Sequence, residues 1–355
     1  MAYTTIDDPS AYFQTTLYTG NGNGSGQAIT HGGNSDLQAD WIWIKNRTDA
    51  ENHSVTDSVR GGGKGVLSNS SDAESNNNSN GYLSSFNSDG FTTANAGVYN
   101  NASSKNYVSW NWKAGTSFSN SSGSNGANLD STGSVSTTAG FSIVSFTGNR
   151  STTRNIYHGL GAVPKMIIFK NRDTTNGWTI YNEAIGNANK LTLNGTNASG
   201  ACTACFASTT PTSTLFTVGD DSDTNGTSNN MIAYCFADVQ GYSKFGSYTG
   251  NGNADGTFVY TGFKPAWLMV KRTDGTDYWY MYDNKRDVDN VIEHKLEAND
   301  SAAEYTSVDW LDFTSNGFKW RYTGGGVNAS GGSFIYMAFA ENPFVTSSGV
   351  PATAR

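Results

Sequence analysis

The sequence has few charged residues, and acidic ones outnumber basic ones. Charged residues are 15% of the 355 residues and the formal net charge is −8, whereas roughly 25% charged is usual for soluble domains. Phosphate-binding surfaces need clustered Lys and Arg, so this composition argues against nucleic acid as a partner. No apolar run approaches the roughly 18–20 residues of a membrane-spanning helix, which argues against membrane insertion.

Cysteine is also scarce, and the start of the chain lacks the pattern of a secretion signal. Three Cys cannot make a disulfide framework. The N-terminal stretch MAYTTIDDPSAYF has neither the basic nor the apolar segment of a signal peptide. We therefore expect a protein that is made in a cytoplasm and does not depend on disulfides.

Hydrophobic residues are few, but aromatic residues are not. The hydrophobic fraction is 36%, with Gly, Ser, Thr and Asn making up the difference, and aromatic residues alone are 13%. Disordered chains lack the large apolar side chains that offset the entropy cost of folding. The composition therefore predicts a folded, aromatic-rich, all-β protein.

Three copies of one pattern run through the chain at roughly 100-residue spacing, which is too long for propeller blades. Each copy has an aromatic-Thr-Gly-Asn turn, then an apolar strand ending in Lys, then an aromatic closing strand. The turns are YTGN, FTGN and YTGN, at residues 18–21, 146–149 and 248–251. The apolar strands are WIWIKNR, MIIFKNR and WLMVKRT, and the closing strands are YVSWNWKA, MIAYCFAD and FIYMAFAE. The order of these blocks predicts a threefold internal repeat.

The closing strands alternate in polarity. Val108, Trp110 and Trp112 are expected on one face, and the residues between them on the other, as in a half-buried antiparallel strand. Short strands between Gly, Asn and Asp turns predict three tandem antiparallel β-sandwich domains of the jelly-roll or lectin-like type.

The predicted divisions follow from the repeats and from one low-complexity tract. They are a first sandwich with its N-terminal lead segment (residues 1–114), a Ser/Gly-rich linker or arm (115–140), a second sandwich (141–240), a third sandwich (241–343) and a C-terminal tail (344–355). Almost nothing separates the second and third copies, so we expect these two to form a stiff tandem and the first to be more independent. Only residues 288–305 look helical.

The stretch YTGNGNGSG, residues 18–26, has glycines like those of a phosphate-binding loop. A dinucleotide fingerprint needs G-x-G-x-x-G between a strand and a helix. Here the glycines alternate, no helix pattern follows, and the second copy, FTGNRSTT, lacks the later glycines. The pattern predicts a structural turn.

The histidines and cysteines give weak signals. His31 and His158 are equivalent, but the third copy has Thr261, and no other His lies at metal-ligand spacing, so we predict surface or turn histidines. Cys202 and Cys205 have C-x-x-C spacing without a second pair. They are predicted to be small buried residues, with a local disulfide as the alternative.

One stretch matches the first half of a calcium loop. Asp221, Asp223 and Asn225 fit the pattern D-x-D-x-N-G, but position twelve is Ile232 where the loop needs a bidentate Glu. A plain turn is the main prediction and a weak calcium site is the alternative. No other cofactor is expected.

No catalytic constellation is evident in the sequence. Asp57 and Arg60 recur as Asp283 and Arg286, but not in the second copy, which predicts a structural turn or an interface contact. No pair of carboxylates is set apart for glycoside hydrolysis. The residues common to all three copies are Gly, Asn, Lys and aromatics, and this predicts a protein that is not an enzyme.

Several segments resemble a known family. These are TDSVRGGGKGVLSNSSDAES, YLSSFNSDGFTT, NNASSKNYVSWNWKAG and the start MAYTTIDDPSAYFQT. They are similar to repeat-bearing virion proteins of tailed bacteriophages, particularly those of marine bacteria, most strongly over residues 1–115. The resemblance implies a tail-fibre-like structural protein with lectin-like, concanavalin-type jelly-roll domains, located in the virion after synthesis in the bacterial host's cytoplasm. It carries over no ligand-binding residues.

We therefore expect a non-enzymatic virion surface protein, a tail fibre or adhesin that binds host-surface glycans. Capsid decoration, as a head fibre or cement protein, is the alternative, and a polysaccharide depolymerase is the outsider. Trp178, Trp279 and Trp320 are candidates for stacking on sugar rings, and a core role explains each equally well. The expected partners are other virion proteins, host polysaccharide and further copies of this chain.

Overall fold

A computed structural model describes residues 2–353 of the chain. The regular structure in this range is almost entirely β-strand, arranged in antiparallel sheets. The predicted all-β fold class is confirmed.

The first repeat contributes nine strands after a 3-10 turn at Pro9–Ala11. These strands are β1 (Phe13–Thr19), β2 (Ala28–Ile29), β3 (Trp41–Asn46), β4 (Ser54–Asp57), β5 (Lys64–Leu67), β6 (Ser75–Asn76), β7 (Leu83–Asn87), β8 (Gly90–Thr93) and β9 (Asn106–Trp112). The large sheet has the order β1-β9-β3-β4-β5-β6, and the small sheet has the order β2-β8-β7.

The second repeat contributes ten strands, a 3-10 turn at Glu183–Ile185 and the short helix α1 (Ser222–Asn225). These strands are β10 (Thr116–Asn120), β11 (Ser131–Ser136), β12 (Phe141–Thr147), β13 (Arg154–Tyr157), β14 (Met166–Asn171), β15 (Thr179–Asn182), β16 (Asn189–Thr192), β17 (Gly200–Ala201), β18 (Leu215–Val218) and β19 (Asn230–Phe236). The large sheet runs β10-β11-β12-β19-β14-β15-β16-β17, and β13 pairs with β18 in the small sheet.

The third repeat contributes eight strands and the short helix α2 (Gly325–Asn328). These strands are β20 (Ser243–Thr249), β21 (Phe258–Tyr260), β22 (Phe263–Arg272), β23 (Trp279–Asp283), β24 (Leu296–Glu297), β25 (Leu311–Thr314), β26 (Gly317–Trp320) and β27 (Ser333–Pro343). The large sheet has the order β20-β27-β22-β23-β24, and the small sheet has the order β21-β26-β25.

Each large sheet is buried on both faces. In β3, Trp41 and Trp43 belong to a hydrophobic cluster that the three repeats share, while Ile42 and Ile44 pack in a cluster of the first repeat alone. Successive side chains point to opposite faces of a strand, so an almost continuously apolar strand can serve two cores at once. The face of β9 that we expected to be solvent-exposed is also buried: Asn111 is 0% exposed.

The shared cluster lies where the closing strands of the three repeats meet. Trp112, Phe236 and Phe339 occupy equivalent positions in β9, β19 and β27. The Phe339 ring lies 5.6 Å from Trp112 and 6.2 Å from Phe236, measured between centroids. Trp41 of the first repeat stacks on Tyr234 of the second at 4.7 Å. We had expected the first repeat to be more independent than the other two. It instead shares its core with them.

The repeats form a closed ring in which each contacts both others. Three equivalent main-chain hydrogen bonds join neighbouring repeats, and we call the three contacts the 1–2, 2–3 and 3–1 seams. The bonds are Glu74 N to Arg172 O at 2.7 Å, Ser199 N to Thr273 O at 2.8 Å and Glu304 N to Arg47 O at 3.0 Å.

Residues 115–140 do not form the predicted linker or arm. They contain β10 and β11, which pair with each other and add two strands to the second large sheet. Phe118 packs against the core of the second repeat and contacts the Tyr157 ring at 5.6 Å. This Ser/Thr-rich segment, whose composition resembles that of a linker, forms the edge strand β10 and its neighbour β11, because the apolar Phe118 side chain anchors them to the core.

Two smaller expectations are also corrected. Residues 288–305 contain β24 and isolated bridges rather than a helix. The tail folds back, with Phe344 N donating to Gly262 O and Ala352 N to Phe344 O. Its last two residues, like Met1, lie outside the described range. No helix within residues 2–353 combines the length and the apolar character needed to cross a bilayer.

Candidate functional site

The glycine-rich turn is a scaffold element that recurs in all three repeats. In each copy, the backbone N–H of the turn's Asn donates to the side-chain oxygen of an Asn that precedes the closing strand. The pairs are Asn21 to Asn101 at 3.1 Å, Asn149 to Asn225 at 2.9 Å and Asn251 to Asn328 at 3.0 Å. The turns at Asn21, Asn149 and Asn251 are therefore structural, as predicted.

The Gly of each turn is required by a close backbone approach. A Cβ atom on Gly20 would lie 2.3 Å from the carbonyl oxygen of Ala102, a distance that real Cβ atoms do not adopt. The corresponding distances are 2.4 Å for Gly148 and 2.3 Å for Gly250. The glycine pattern is therefore explained by packing of the turn against its own repeat.

The 1–2 seam contains a buried charge network. The Arg60 guanidinium donates to Asp57 at 2.5 Å and to Glu74 at 3.1 Å, and both Arg60 and Asp57 have fully buried side chains. Arg172 of the second repeat donates to both Glu74 oxygens. Tyr234 of the second repeat donates to Asp57 at 2.7 Å.

Electrostatics in this seam favour the charged forms. Burial alone would raise the pKa of Glu74, but Arg172 and Arg60 outweigh it, so the pKa is lowered. The seam is thus a structural ion-pair network between two repeats.

The 3–1 seam repeats the same arrangement. Arg286 donates to Asp283 at 2.6 Å and to Glu304 at 3.1 Å. Arg47 donates to both Glu304 oxygens, and Trp110 Nε1 donates to Asp283 at 3.0 Å. Asp283 lies at the interface between two repeats, with no exposed surface to offer a ligand.

The 2–3 seam has no such network, and its residues have changed together. Ser199 stands where Glu74 and Glu304 stand, and its hydroxyl donates to Thr273 O at 3.0 Å. Thr273 stands where Arg47 and Arg172 stand, and Ile185 replaces the two buried arginines. The Asp-Arg pair is thus absent from the seam in which Thr273 stands in place of the facing arginine.

One lysine of each repeat is buried beside a seam. Lys45, Lys170 and Lys271 are each 0% exposed and donate to main-chain carbonyls. Lys170 reaches Ser71 O of the first repeat at 2.9 Å, and Lys271 reaches Thr196 O of the second at 3.1 Å. Burial lowers the pKa of each to about 8. Lys170 and Lys271 therefore join neighbouring repeats, whereas Lys45 bonds to Asn46 O and Asp49 O of its own repeat.

Three of the four histidines are buried, which corrects the prediction of surface positions for His31 and His158. His31 is 6% exposed and His158 and His53 are 0% exposed. His158 Nδ1 accepts from Leu160 N, while Nε2 contacts Thr212 O, so the ring is a neutral packing element. Burial lowers the pKa of His31 and His158 to about 4 and that of His53 below its usual range.

Acid should therefore destabilise the fold between pH 6.5 and 4. Each buried His is neutral in the folded chain but takes up a proton in the unfolded chain below about pH 6.5, so stability falls with pH in this window. The variant His158→Thr has the residue of the third repeat at this position. Between pH 7 and pH 4, its free energy of unfolding should fall by about 3 kcal/mol less than that of the wild type. Urea unfolding at both pH values measures this, and an equal loss in both proteins would contradict it.

Cys202 and Cys205 form a disulfide, the alternative left open by the sequence. The bond closes a loop of the second repeat at the place where the other repeats have the first strand of their small-sheet hairpin. Asp221 lies near these sulfurs. Disulfide sulfurs lack the thiolate charge that metal ions need, so this group does not fit a metal site.

The residues of the calcium candidate do not fit a calcium ion either. Asp221 caps α1 by accepting from Asp223 N at 2.9 Å. Asp223 accepts from Lys190 at 3.0 Å. The oxygen of Asn225 is used by the Asn149 N–H in the recurring turn. These oxygens have protein donors, one of them a cation, where a calcium site would need converging free ligands.

The three candidate tryptophans are core residues. Trp178 and Trp279 are 1% exposed and Trp320 is 0% exposed, so none can stack on a sugar. Trp178 Nε1 donates to Leu67 O of the first repeat at 2.8 Å, and Trp279 Nε1 donates to Thr192 O of the second at 3.0 Å. Both rings hold seams together.

The exposed aromatic side chains are different ones, and most lie on the third repeat. They include Phe258, Tyr260, Tyr278 and Tyr305, with exposed fractions of 47%, 54%, 36% and 45%. They were missed in the sequence because we considered only tryptophans as sugar-stacking residues and did not compare the residue types at equivalent positions of the repeats. A position-by-position comparison of the repeats gives the signal, since the first repeat has Ala28 where the third has Phe258.

A groove of about 460 Å³ lies beside the two strands that are peculiar to the second repeat. It is lined by Ser122, by residues 128–132, which include the carboxylate of Asp130, and by residues 145–147. Asn128 and Ser131 hydrogen-bond to neighbouring main chain. The polar groups of this groove serve mainly to fix the added strands.

The fold and its seams define a class: an all-β protein whose three sandwich-like repeats share one core and close into a ring through hydrogen bonds at the seams. A model of the family described as a domain of unknown function, DUF7483, matches residues 8–343. The match spans all three repeats, and the chain belongs to this family. A search of curated proteins and a search of solved structures each gave no match.

Proposed function

We propose that this protein is a non-enzymatic structural protein of a bacteriophage particle, of the tail-fibre or adhesin type, that binds host-surface glycans. The supporting observation is the use made of the recurring residues. The Asn, Gly and Lys residues common to the three copies bond to main chain and to neighbouring repeats. Repetition here builds a rigid body rather than three copies of a reaction centre.

The ring has two distinct ends, which suits an attachment role. The turns after β1, β12 and β20 lie at one end, which we call the loop end and define by residues 21–26, 149–153 and 251–256. The segment before β1 lies at the opposite end, where Thr4 donates to Gln240 O. Three related loops on one body can make several weak contacts with a repetitive surface, and such contacts reinforce one another.

The partners follow from this role. Other virion proteins hold the chain on the particle, and host polysaccharide is the ligand. The expected homo-oligomer is checked by light scattering of the purified protein.

Two measurements test the proposed function. Labelled protein should bind host cells and lose that binding after the surface polysaccharide is stripped, and antibodies should place the chain on the tail of the particle. Binding that is absent, or unaffected by stripping, would contradict the glycan role. Labelling of the head, with capsids that weaken when the protein is missing, would instead show a decoration protein. Release of reducing sugar would show a depolymerase.

A further inference from the structure

The third repeat carries an exposed aromatic surface that the other repeats lack. Tyr278 and Tyr305 are its outer members, at 36% and 45% exposure. The strand pairing identifies their counterparts in the first and second repeats: Asn52 and Gly177 for Tyr278, and Ser75 and Gly200 for Tyr305. The same sheet forms without these rings, so the fold does not require them. Aromatic surface left in water is unfavourable, and its retention indicates a ligand.

The rings are held in fixed positions before any ligand arrives. The Lys295 ammonium lies 4.2 Å from the Tyr305 ring, 4.6 Å from Tyr280 and 4.7 Å from Trp310. Tyr278 contacts Tyr280 at 6.3 Å between ring centroids. The cation–π contacts orient Tyr305 and Tyr280, and Tyr278 in turn packs against the Tyr280 ring. Little side-chain freedom is then lost on binding, which favours affinity.

The charges around the rings select the class of ligand. Asp277, Glu297 and Asp300 lie close to Tyr278, and the Lys295 ammonium pairs with Glu297 at 2.7 Å. The negative charge of Glu297, followed by that of Asp300, raises the pKa of Tyr278. A polyanionic polysaccharide would be repelled by this surface, whereas a neutral one would find hydrogen-bond acceptors beside the rings.

We propose that Tyr278 and Tyr305 form the binding platform for a neutral glycan. This inference rests on the proposed function and assigns its glycan site. The tyrosine faces contact the apolar C–H face of pyranose rings, and the half-buried carboxylates of Asp277 and Asp300 accept hydrogen bonds from sugar hydroxyls. Tyr278 directly precedes β23, at the loop end of the ring.

The test replaces both tyrosines with the residues of the first repeat. Tyr278→Asn/Tyr305→Ser is compared with the wild type and with Phe258→Ala, a matched control that removes an equally exposed aromatic of the same repeat. Binding to immobilised dextran, mannan, galactan and alginate is measured by biolayer interferometry, with thermal unfolding as the check on folding. We expect the wild type to bind at least one neutral polysaccharide and not alginate. The double variant should bind at least tenfold more weakly, and the control should be unchanged.

Each other outcome overturns a defined part of the proposal. Equal binding by the double variant and the wild type would overturn the site and leave the proposed function standing. Preferential binding of alginate would overturn the neutral class of ligand. An equal loss in Phe258→Ala would show general adhesion by exposed rings rather than a site. No binding to any of the four polysaccharides would overturn the inference and count against the glycan role.

Discussion

Replacing Glu304 with serine should lower the free energy of unfolding by about 3 kcal/mol, because it removes the carboxylate that Arg47 and the buried Arg286 share and leaves Arg286 with Asp283 alone as its acidic partner. The Glu304 carboxylate accepts from Arg47 across the 3–1 seam and from Arg286 within its own repeat. The Arg286 side chain has no exposure to water that could replace the lost bonds. Urea unfolding monitored by tryptophan fluorescence measures the effect.

The residues of the 2–3 seam provide a set of substitutions that should compensate for the loss of Glu304. Arg47→Thr/Asp283→Asn/Arg286→Ile/Glu304→Ser gives the 3–1 seam the residues that stand at Thr273, Asn182, Ile185 and Ser199. It should recover most of the stability that Glu304→Ser loses, since no charge remains buried without a partner. Trp110 keeps an acceptor in Asn at position 283.

An exposed ion pair provides the control. Glu183 is 51% exposed in its pair with Lys165, so Glu183→Ser should change stability by less than about 1 kcal/mol. If Glu304→Ser costs no more than this, the ion-pair network does not hold the ring closed. If the fourfold exchange is no more stable than the single variant, the 2–3 seam is not an equivalent solution.

Much of the fold could be predicted from the sequence because the residues that recur in each repeat are also the ones that form its turns and strands. The aromatic-Thr-Gly-Asn turn, the apolar strand and the closing strand each mark one structural element, and period-two alternation assigned Trp110 and Trp112 to one core. The all-β class followed from these patterns.

The closed ring could not be predicted, because its evidence lies in contacts between distant residues. Arg47 and Glu304 are 257 positions apart, and nothing local in either marks the other as its partner. The absence of Asp-Arg from the second repeat pointed to an interface role, but only the structure shows Thr273 facing Ser199 there. The linker prediction failed for a related reason. Ser- and Thr-rich sequence is compatible with both a coil and an edge strand, and packing of Phe118 decides between them.

The candidate site was missed because burial is not visible in residue type. A tryptophan can pack in a core or stack on a sugar equally well, and Trp178, Trp279 and Trp320 all pack in the core. The exposed positions are occupied by tyrosines that the other copies replace with small or polar residues. Differences between repeats, rather than their common residues, therefore mark the surface where function can reside.

The turn that begins each repeat gives the other large effect. Gly20→Ala should lower the free energy of unfolding by about 3 kcal/mol or more, because overpacking against rigid main chain cannot be relieved by a side-chain movement. The new Cβ would lie 2.3 Å from Ala102 O and 2.9 Å from the Asn101 carbonyl carbon. Displacing that segment would also break the bond from Asn21 N to the Asn101 side chain.

The same loop contains the control for this prediction. A Cβ on Gly24 would meet no atom within 4 Å, and Gly24 does not have a positive φ. Gly24→Ala should therefore leave stability within about 0.5 kcal/mol of the wild type, or raise it slightly through the unfolded chain. Unfolding of both variants in urea separates the two roles of glycine in YTGNGNGSG. If the two alanines have equal effects, the close approach to Ala102 is not the reason for the first glycine. If Gly20→Ala alone is destabilised, that glycine serves the packing of the turn against the segment that precedes the closing strand of its repeat.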